Sequence, residues 1–346
     1  MYKGMKKIII GIDVSKEKID VSHQDMDRQT VPAYLGKYEN SPKGYKAMVK
    51  DLSRMHKGVC PGQWLFCCET TGAYDRPMCY WLCANGFNVW RESALQIRWS
   101  LGIRRGKDDK ADSMAITEYA WRHMDKACLF HIPEEKLAAL KDLFVYRMQL
   151  VDRCKAHKAR LKSLDAQGKA ASAAAALIKH DIKKEIEATE KSIAKFENEI
   201  MTVINSSPDL KNSYKRITSI NGVGMVTAVS MIAFSDNFTN IPTPNKMATY
   251  CGVAAFRKKS GDSIDKRQDV SNLSNRRLKG ILSMAARSAI HYNPDIKSYF
   301  ERLVANGKPY GIAVNNVKNK LIHIMYALIK NASEYRPGYQ HERKSA

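Results

Sequence analysis

Residues 6–21 read KKIIIGIDVSKEKIDV. The run from Ile8 to Ile12 is β-branched and short, which predicts a buried strand. It ends at Asp13, and a carboxylate at the end of a buried strand loses hydration that must be replaced. A metal ion would replace it, whereas the alternative is a carboxylate that caps a turn. Residues 19–22 alternate and predict a return strand of a hairpin, with Asp20 pointing outward.

The charge of the chain indicates a polyanionic partner. Its 346 residues are enough for two or three domains, and they carry a formal net charge of +22 with a pI near 9.6. Nucleic acid is the first candidate for such a partner. Residues 251–346 hold 18 Lys+Arg against 7 Asp+Glu, a net charge of +11. The C-terminal end is therefore predicted to face phosphates.

The eight cysteines predict no zinc site, because no Cys-x-x-Cys pair occurs among them. Reduced, buried cysteines are the expectation. No apolar run is long enough to cross a membrane and no signal-peptide pattern opens the chain. We therefore expect a cytoplasmic protein.

Residues 1–130 alternate strand and helix signals, which predicts an α/β domain. Ser41 and Pro42 are typical of a helix start. The apolar stretch QWLFCCE predicts another strand, and it also ends in a carboxylate, Glu69. A strong helix is predicted from about Asp108.

Residues 131–206 predict two long amphipathic helices that bend near Gly168, either as a hairpin or as a coiled-coil arm. Pairing of subunits and packing of the arm only on itself both remain open. Residues 207–335 predict a small helical domain, and 336–346 a polar tail. The sequence INGVG contains Gly222 and Gly224 and matches a helix-hairpin-helix turn that binds phosphate through backbone N–H groups, although a plain Gly-rich turn is the alternative.

Four acids stand out, namely Asp13, Glu69, Asp109 and Asp112. The two helical acids are three residues apart and so share one helix face. Carboxylates from strand ends and one helix can converge to hold two divalent ions that activate phosphoryl transfer. Asp108 competes with Asp109 for this role, and the alternative for the helical pair is an acidic first turn that offsets the helix dipole.

Three blocks of sequence, GIDVSKEKIDV, CCETTG and KDDKADSMA, resemble those of the DEDD transposases of bacterial insertion sequences (the IS110 group), with the Piv-type DNA invertases as relatives. SINGVG, MATYCGVAAFRKKSG and NRRLKGIL continue the resemblance in the right order along nearly the whole chain. It implies an RNase H-like, RuvC-like N-terminal domain. The family pattern makes Asp13, Glu69, Asp109 and Asp112 the carboxylate ligands, for two Mg²⁺ ions that Mn²⁺ can replace.

The resemblance also implies a nucleophilic serine in the block CGVAAFRKKSG, which places it at Ser260, with Ser263 as a nearby rival. A covalent phosphoserine would conserve phosphodiester energy for rejoining. Since the acids and Ser260 belong to different domains, one active site would need both. Basic residues are densest around this serine: Arg257, Lys258, Lys259, Lys266, Arg267, Arg276, Arg277 and Lys279. They predict phosphate contacts, with a solvated surface as the alternative.

Members of the family are guided by a non-coding bridge RNA that pairs with donor and target DNA. Such guidance accounts for a strongly basic protein without a base-reading helix. The expected partners are therefore donor and target DNA, bridge RNA and further copies of the chain, as a dimer or as a tetramer in the synaptic complex. Two other functions remain open: a RuvC-type structure-specific endonuclease and a non-catalytic nucleic-acid scaffold.

Overall fold

The protein is described from a computed structural model that covers residues 8–27, 31–100, 102, 108–168, 172–260, 264–270 and 274–338. For 255–260 and 264–270 it describes the backbone and not the side chains. The chain divides into two compact units, Met1–Ile132 and Pro133–Ala346, which we call the N-terminal and C-terminal units.

The N-terminal unit is built on a five-stranded mixed sheet with the order β3-β2-β1-β4-β5. The first three strands are antiparallel neighbours, and β4 runs parallel to both β1 and β5. This confirms the α/β class and is compatible with an RNase H-like fold. The strands are β1 Ile8–Val14, β2 Lys18–Asp25, β3 Ala33–Glu39, β4 Trp64–Glu69 and β5 Asn88–Glu92.

Four helices accompany this sheet: α1 Pro42–Met55, α2 Arg76–Ala84, α3 Ala94–Ser100 and α4 Asp109–Arg122. Side chains of a strand alternate between its two faces. Even positions of β1, such as Ile10 and Ile12, pack with α1 and α2, whereas Ile9 packs with α4 on the opposite face. Helix α1 begins as predicted, because Ser41 Oγ accepts the Gly44 N–H at 3.3 Å. Both faces of the sheet are therefore covered.

The C-terminal unit begins with two long helices, α5 Glu135–Ala166 and α6 Ala175–Asn205. They form an antiparallel hairpin, as the ion pairs Arg147–Glu197 and Lys158–Glu190 show. The base of this hairpin contributes Leu140, Phe144, Met148, Ile200 and Ile204 to the main core of the unit. A separate cluster of Cys154, Leu164, Ile182 and Ile186 closes its distal part. The two predicted helices are thus confirmed as a hairpin.

The remaining helices surround the same core: α7 Pro208–Thr218, α8 Met225–Ser235, α9 Pro244–Tyr250, α10 Arg276–Tyr292, α11 Pro294–Ala305 and α12 Tyr310–Lys330. An antiparallel hairpin of β6 Ala255–Ser260 and β7 Ile264–Val270 interrupts them. The prediction of a purely helical C-terminal domain was therefore wrong. These strands are dominated by charged residues, so they lack the apolar alternation that identifies a strand in sequence. No helix in the described part of the chain is long and apolar enough to cross a membrane.

Candidate functional site

Asp13 and Glu69 lie side by side at the ends of two parallel strands. Ile12 pairs with Cys68 between β1 and β4, and each acid is the next residue of its strand. Since alternate residues share a face, Asp13 follows Ile9 and Gly11 onto the face covered by α4, and Glu69 follows Leu65 and Cys67. Parallel pairing thus brings together two carboxylates 56 positions apart in the sequence.

Helix α4 reaches these strand ends because Gly11 has no side chain. A Cβ at Gly11 would lie 2.3 Å from Thr117 Oγ1 and 2.6 Å from the carbonyl oxygen of Ser113. On the neighbouring strand β2, Ser22 is the cross-strand partner of Gly11, and its buried hydroxyl lies 2.6 Å from the hydroxyl of Ser113. The backbone of α4 therefore lies directly on β1, and its first turn is held beside the acid of the first strand.

The first turn of α4 supplies Asp109 and Asp112, whereas Asp108 is the N-cap residue. The Asp108 carboxylate accepts the Lys110 N–H at 3.3 Å. A capping carboxylate satisfies an otherwise unpaired helix N–H. Sequence left open which of Asp108 and Asp109 belongs with the acid set, and this geometry gives Asp108 a capping role.

The negative charges of the other three predicted acids act on the carboxyl group of Asp13. Its pKa is raised from 3.8 to about 6, first by burial and then by the negative charges of Asp112, Asp109, Glu69 and Asp20. The predicted set is thus gathered around one carboxyl group, with one further acid. Like charges in a partly buried place favour the protonated acid or a bound cation.

Asp109 already has a cationic partner, because Lys18 Nζ lies 2.7 Å from its Oδ2. This hydrogen bond raises the pKa of Lys18 to about 12. Among the described residues, no three carboxylates of the cluster have oxygen atoms that all lie within 4.8 Å of one another. The cluster is therefore spaced more widely than a closed coordination shell. Its donor set consists only of carboxylate oxygens, which fits a hard cation such as Mg²⁺.

The outward orientation predicted for Asp20 was wrong. Asp20 is cross-strand partner of Asp13 and is 3% exposed. Tyr34 donates its hydroxyl to Asp20 Oδ1 at 2.7 Å, and Lys37 Nζ lies 3.9 Å from the same oxygen. A return strand with one solvated face would expose Asp20, but both faces of this sheet are covered. Sequence reasoning missed Asp20 and Lys18 as members of the cluster, although both lie within eight residues of Asp13.

A second group of donor atoms lies between β4 and α2. Cys68, Asp75 and Cys79 are buried, and their ligand atoms lie within 4.8 Å of one another. The two Sγ atoms are 3.7 Å apart. Arg91 Nε donates to Asp75 Oδ2 at 2.6 Å, so the carboxylate charge is already balanced. All eight cysteines are free thiols, as predicted, but the prediction that they are buried was wrong for Cys60 and Cys128, which are exposed. Sequence patterns could not predict the approach of Cys68 to Cys79, because the two cysteines belong to separate elements.

The residues predicted for the C-terminal site lie on the β6–β7 hairpin and beside it. Ser260 is the last residue of β6 and pairs with Ile264. The side chains of Ser260, Arg257, Lys258 and Lys259 lie outside the described residues, as do those of Lys266 and Arg267, and Ser263 is wholly outside them.

Gly222 and Gly224 lie between α7 and α8, where a helix-hairpin-helix turn was predicted. Gly222 has φ +90°, and a Cβ there would lie 2.5 Å from the backbone of Ala289 in α10. Helix packing therefore requires this glycine. Gly224 is the N-cap residue of α8, and a Cβ there would meet nothing within 4 Å. Of the pair, Gly224 is the one with free space in front of it.

Arg276, Arg277 and Lys279 form the first turn of α10, which Asn275 caps by accepting the Leu278 N–H at 3.2 Å. Arg277 lies 3.4 Å from Asp152 in an exposed ion pair. Lys279 lies alongside Gly252, at the start of the connection to β6. These basic residues thus flank the chain segment that leads to Ser260.

A mixed sheet with carboxylates at the ends of adjacent parallel strands, and an acidic helix start laid against them, is compatible with the RNase H-like class of nucleic-acid enzymes. Two family models narrow this class. A DEDD model of the IS110 type, described as "Transposase", matches residues 10–165, and one described as "Transposase IS116/IS110/IS902 family" matches residues 214–301. Together they span more than two thirds of the chain, which belongs to the IS110 family of DEDD transposases.

Similar proteins agree with this assignment. The "Pilin gene-inverting protein" of Moraxella lacunata is 23% identical over 333 residues, which cover 94% of this chain and 97% of that protein. The "Insertion element IS110 uncharacterized 43.6 kDa protein" of Streptomyces coelicolor is 29% identical over 119 residues, or 34% of this chain and 29% of the relative. A "Probable family 20 transposase" of Pseudomonas aeruginosa is 22% identical over 164 residues, or 46% of each chain.

Proposed function

We propose that this protein cuts and rejoins DNA at the ends of an insertion sequence, with Asp13, Glu69, Asp109 and Asp112 as metal ligands and Ser260 as nucleophile. The observation that supports the proposal is the convergence of Glu69, Asp109 and Asp112 on Asp13, whose pKa is raised by burial and by their negative charges.

The acids would act by binding divalent cations. Mg²⁺, with Mn²⁺ as a substitute, would stabilise negative charge on the phosphoryl oxygens during transfer. Asp13 and Glu69 are fixed by strand pairing, and Asp112 by the close contact of α4 with β1. Such fixed carboxylates lose little entropy when a cation binds, which favours binding. Lys18 would release Asp109 to the cation, since their ion pair is exposed.

Ser260 would form the covalent link to DNA. Its Oγ attacks a phosphorus atom, an Oγ–P bond forms, and the P–O bond to one deoxyribose breaks. The hydroxyl proton goes to the leaving deoxyribose oxygen, so charge and atoms balance. Attack by the hydroxyl of the partner strand then reverses these steps and frees the serine. The resemblance of the block CGVAAFRKKSG to the family pattern supports this role, and Ser260 is the last residue of β6.

The test is a search for the covalent adduct. End-labelled donor DNA is incubated with the protein and Mg²⁺ and separated on a denaturing gel. The wild-type protein should retain label, and the Ser260→Ala protein should bind DNA equally but retain none. Ser298→Ala is the matched control, since this serine is exposed on α11, outside the hairpin. An adduct with Ser260→Ala would move the nucleophile to Ser263, and free DNA ends with the wild-type protein would support the nuclease alternative.

Guidance by a bridge RNA is the second part of the proposal. The net charge of +22 supports it, because base pairing in the RNA would select sequence while the protein holds backbones. Gly224, Arg276, Arg277 and Lys279, together with Arg257, Lys258 and Lys259, would contact phosphates. The α8 N-terminus at Gly224 would present free N–H groups to a phosphate, whereas Gly222 would serve by allowing the turn.

We also propose self-association through the tip of the α5–α6 hairpin. Leu177 is 74% exposed and Ile178 37% exposed, and they are adjacent at the start of α6. Deleting the hairpin would remove Leu140 and Phe144 from the core, so the test uses Leu177→Lys with Ile178→Lys. Light scattering should report a smaller mass for this variant and an unchanged mass for the control Val304→Lys. An oligomer that persists in the tip variant would contradict the proposal.

A further inference from the structure

Two packed helices of the C-terminal unit contain no acidic residue. Helix α10 reads RRLKGILSMAARSAIHY and α12 reads YGIAVNNVKNKLIHIMYALIK. Helices α8 and α9, which pack against them, have no acidic residue either. Helix α11 has two acidic residues, Asp295 and Glu301, and the carboxylate of Asp295 accepts a hydrogen bond from the Tyr335 hydroxyl at 2.7 Å. A cation buried in this part of the molecule has no carboxylate close by on these four helices.

Lys318 of α12 is such a cation. It is 7% exposed, and its ammonium is 3.3 Å from Ser283 Oγ of α10. An ammonium has three N–H donors, and within the described part of the chain Ser283 is the one hydrogen-bond partner of this group. A buried charge without a counter-ion is costly. The pKa of Lys318 is accordingly lowered, first by burial and then by Lys279 and Arg287.

Helix α10 surrounds this ammonium with further cations. Lys279, Ser283 and Arg287 are spaced four residues apart, so they lie in one row along the helix. Ser283, the middle residue, touches Lys318. None of the three basic side chains forms an ion pair with a carboxylate of the described residues. A hydroxyl and three cations therefore converge, and among the described side chains no carboxylate is paired with the three cations.

We propose that Lys318, Lys279, Arg287 and Ser283 form a binding site for a phosphate of the nucleic-acid backbone. An oxyanion would supply the missing negative charge and accept hydrogen bonds from the ammonium and the hydroxyl at the same time. A phosphodiester suits this site because its two non-bridging oxygens share one negative charge and can each accept hydrogen bonds from several donors. The inference rests on the proposed function for its choice of nucleic acid.

The site shares Lys279 with the basic surface that the sequence indicated, and it adds Lys318, Arg287 and Ser283. Lys318 belongs to a helix that shows no basic run, and its role follows from burial against α10. Arg287 is exposed and forms the outer end of the row. A phosphate seated here would be held from below by Lys318 and from the sides by Lys279 and Arg287.

The test compares Lys318→Met with Lys330→Met, an exposed lysine of the same helix. Binding of a duplex DNA and of a single-stranded RNA is measured over a range of salt concentrations. Lys318→Met should weaken binding about tenfold and lower the salt slope by about 1 for the nucleic acid that uses the site, while Lys330→Met should match the wild type. Without nucleic acid, Lys318→Met should melt no earlier than the wild type, because it removes an unbalanced buried charge.

Arg287→Gln is the second variant, since an exposed side chain can be changed without disturbing the core. It should weaken binding of the same nucleic acid in the same direction. Loss confined to DNA or to RNA identifies which backbone supplies the phosphate. Wild-type affinity and salt slope for both nucleic acids in Lys318→Met would overturn the inference. Normal phosphate binding without any covalent adduct would instead count against the proposed serine chemistry and leave this site standing.

Discussion

The acid cluster of the N-terminal unit and the cation row of the C-terminal unit pose the same electrostatic problem with opposite signs. The cluster consists of Asp13, Asp20, Glu69, Asp109 and Asp112, and the row consists of Lys279, Arg287 and Lys318. Burial and four neighbouring carboxylates raise the pKa of Asp13 to about 6, whereas burial and two neighbouring cations lower the pKa of the Lys318 ammonium. The acids come from β1, β2, β4 and α4, whereas two of the three cations share α10. In each group, like charges favour a ligand of the opposite sign.

The two regions differ in how firmly they are held. The acids are fixed by strand pairing and by a backbone contact at Gly11, and Asp20 is held by Tyr34. Lys318 has one hydrogen bond, and the other two cations reach it with long side chains. Rigid carboxylates suit a reaction whose rate depends on small displacements of the reacting groups. Long, flexible lysine and arginine side chains suit the binding of a nucleic-acid backbone.

The largest effect is expected for Asp13→Asn. Removing this charge should lower recombination in Mg²⁺ by about a thousandfold or more, because fixed charge at the reacting phosphate is lost. The measurement is the rate of joined product with donor and target DNA. Asp125→Asn is the control, an exposed acid of the same unit outside the cluster. A wild-type rate of joining for Asp13→Asn would show that the acid cluster takes no part in the reaction. The acids would then have a structural role, and the comparison with the cation row would no longer be one between two ligand sites.

A smaller effect, on stability, is expected for Gly11→Ala. The added Cβ would lie 2.4 Å from the Thr117 backbone nitrogen, so α4 must move away from β1. We expect a loss of about 3 kcal/mol and weaker Mg²⁺ binding, because Asp112 moves with the helix. Thermal unfolding and Mg²⁺ titration measure the two. Gly62→Ala is the matched control, since a Cβ there meets nothing within 4 Å. Unchanged melting of Gly11→Ala would show that α4 does not position the acids.

The smallest effect concerns Asp13→Asn in the absence of divalent ions. The folded pKa of Asp13, about 6, is above its value of 3.8 without the fold. Its favourable contribution is therefore complete below about pH 4 and lost as the pH rises through 6. At pH 7.5 in chelator the variant should be more stable by about 1–2 kcal/mol, after allowance for the exposed part of the carboxyl.

At about pH 3 the same variant should melt with the wild type, because this pH lies below both pKa values and Asp13 is then mostly protonated in the folded and in the unfolded state. Scanning calorimetry at the two pH values measures the difference. Asp125→Asn, measured in parallel, should show no gain at either pH. A lower melting temperature for Asp13→Asn at pH 7.5 would mean that contacts within the protein stabilise the carboxylate. The acid cluster would then not be a group of unbalanced like charges, as the cation row is proposed to be.

Local features of the sequence determined most of the secondary structure and four of the acids. The β-branched run before Asp13, the Ser41–Pro42 helix start and the three-residue spacing of Asp109 and Asp112 each depend on neighbours in the chain, and the structure has all of them. The resemblance of the sequence blocks then pointed to the family. These inferences needed no knowledge of which element lies against which.

The tertiary structure alone decided the features that depend on packing. Asp20 is buried because β3 and α4 cover it, Cys68 approaches Cys79 because α2 lies on β4, and Lys318 loses water because α12 packs on α10. Each of these contacts joins residues of different elements, and hydrophobic periodicity reports which face of an element is covered without naming what covers it. The charge balance of a side chain depends on which elements pack around it. The sequence therefore determined which residues could form the two charged regions, and packing decided which of these residues lie close together.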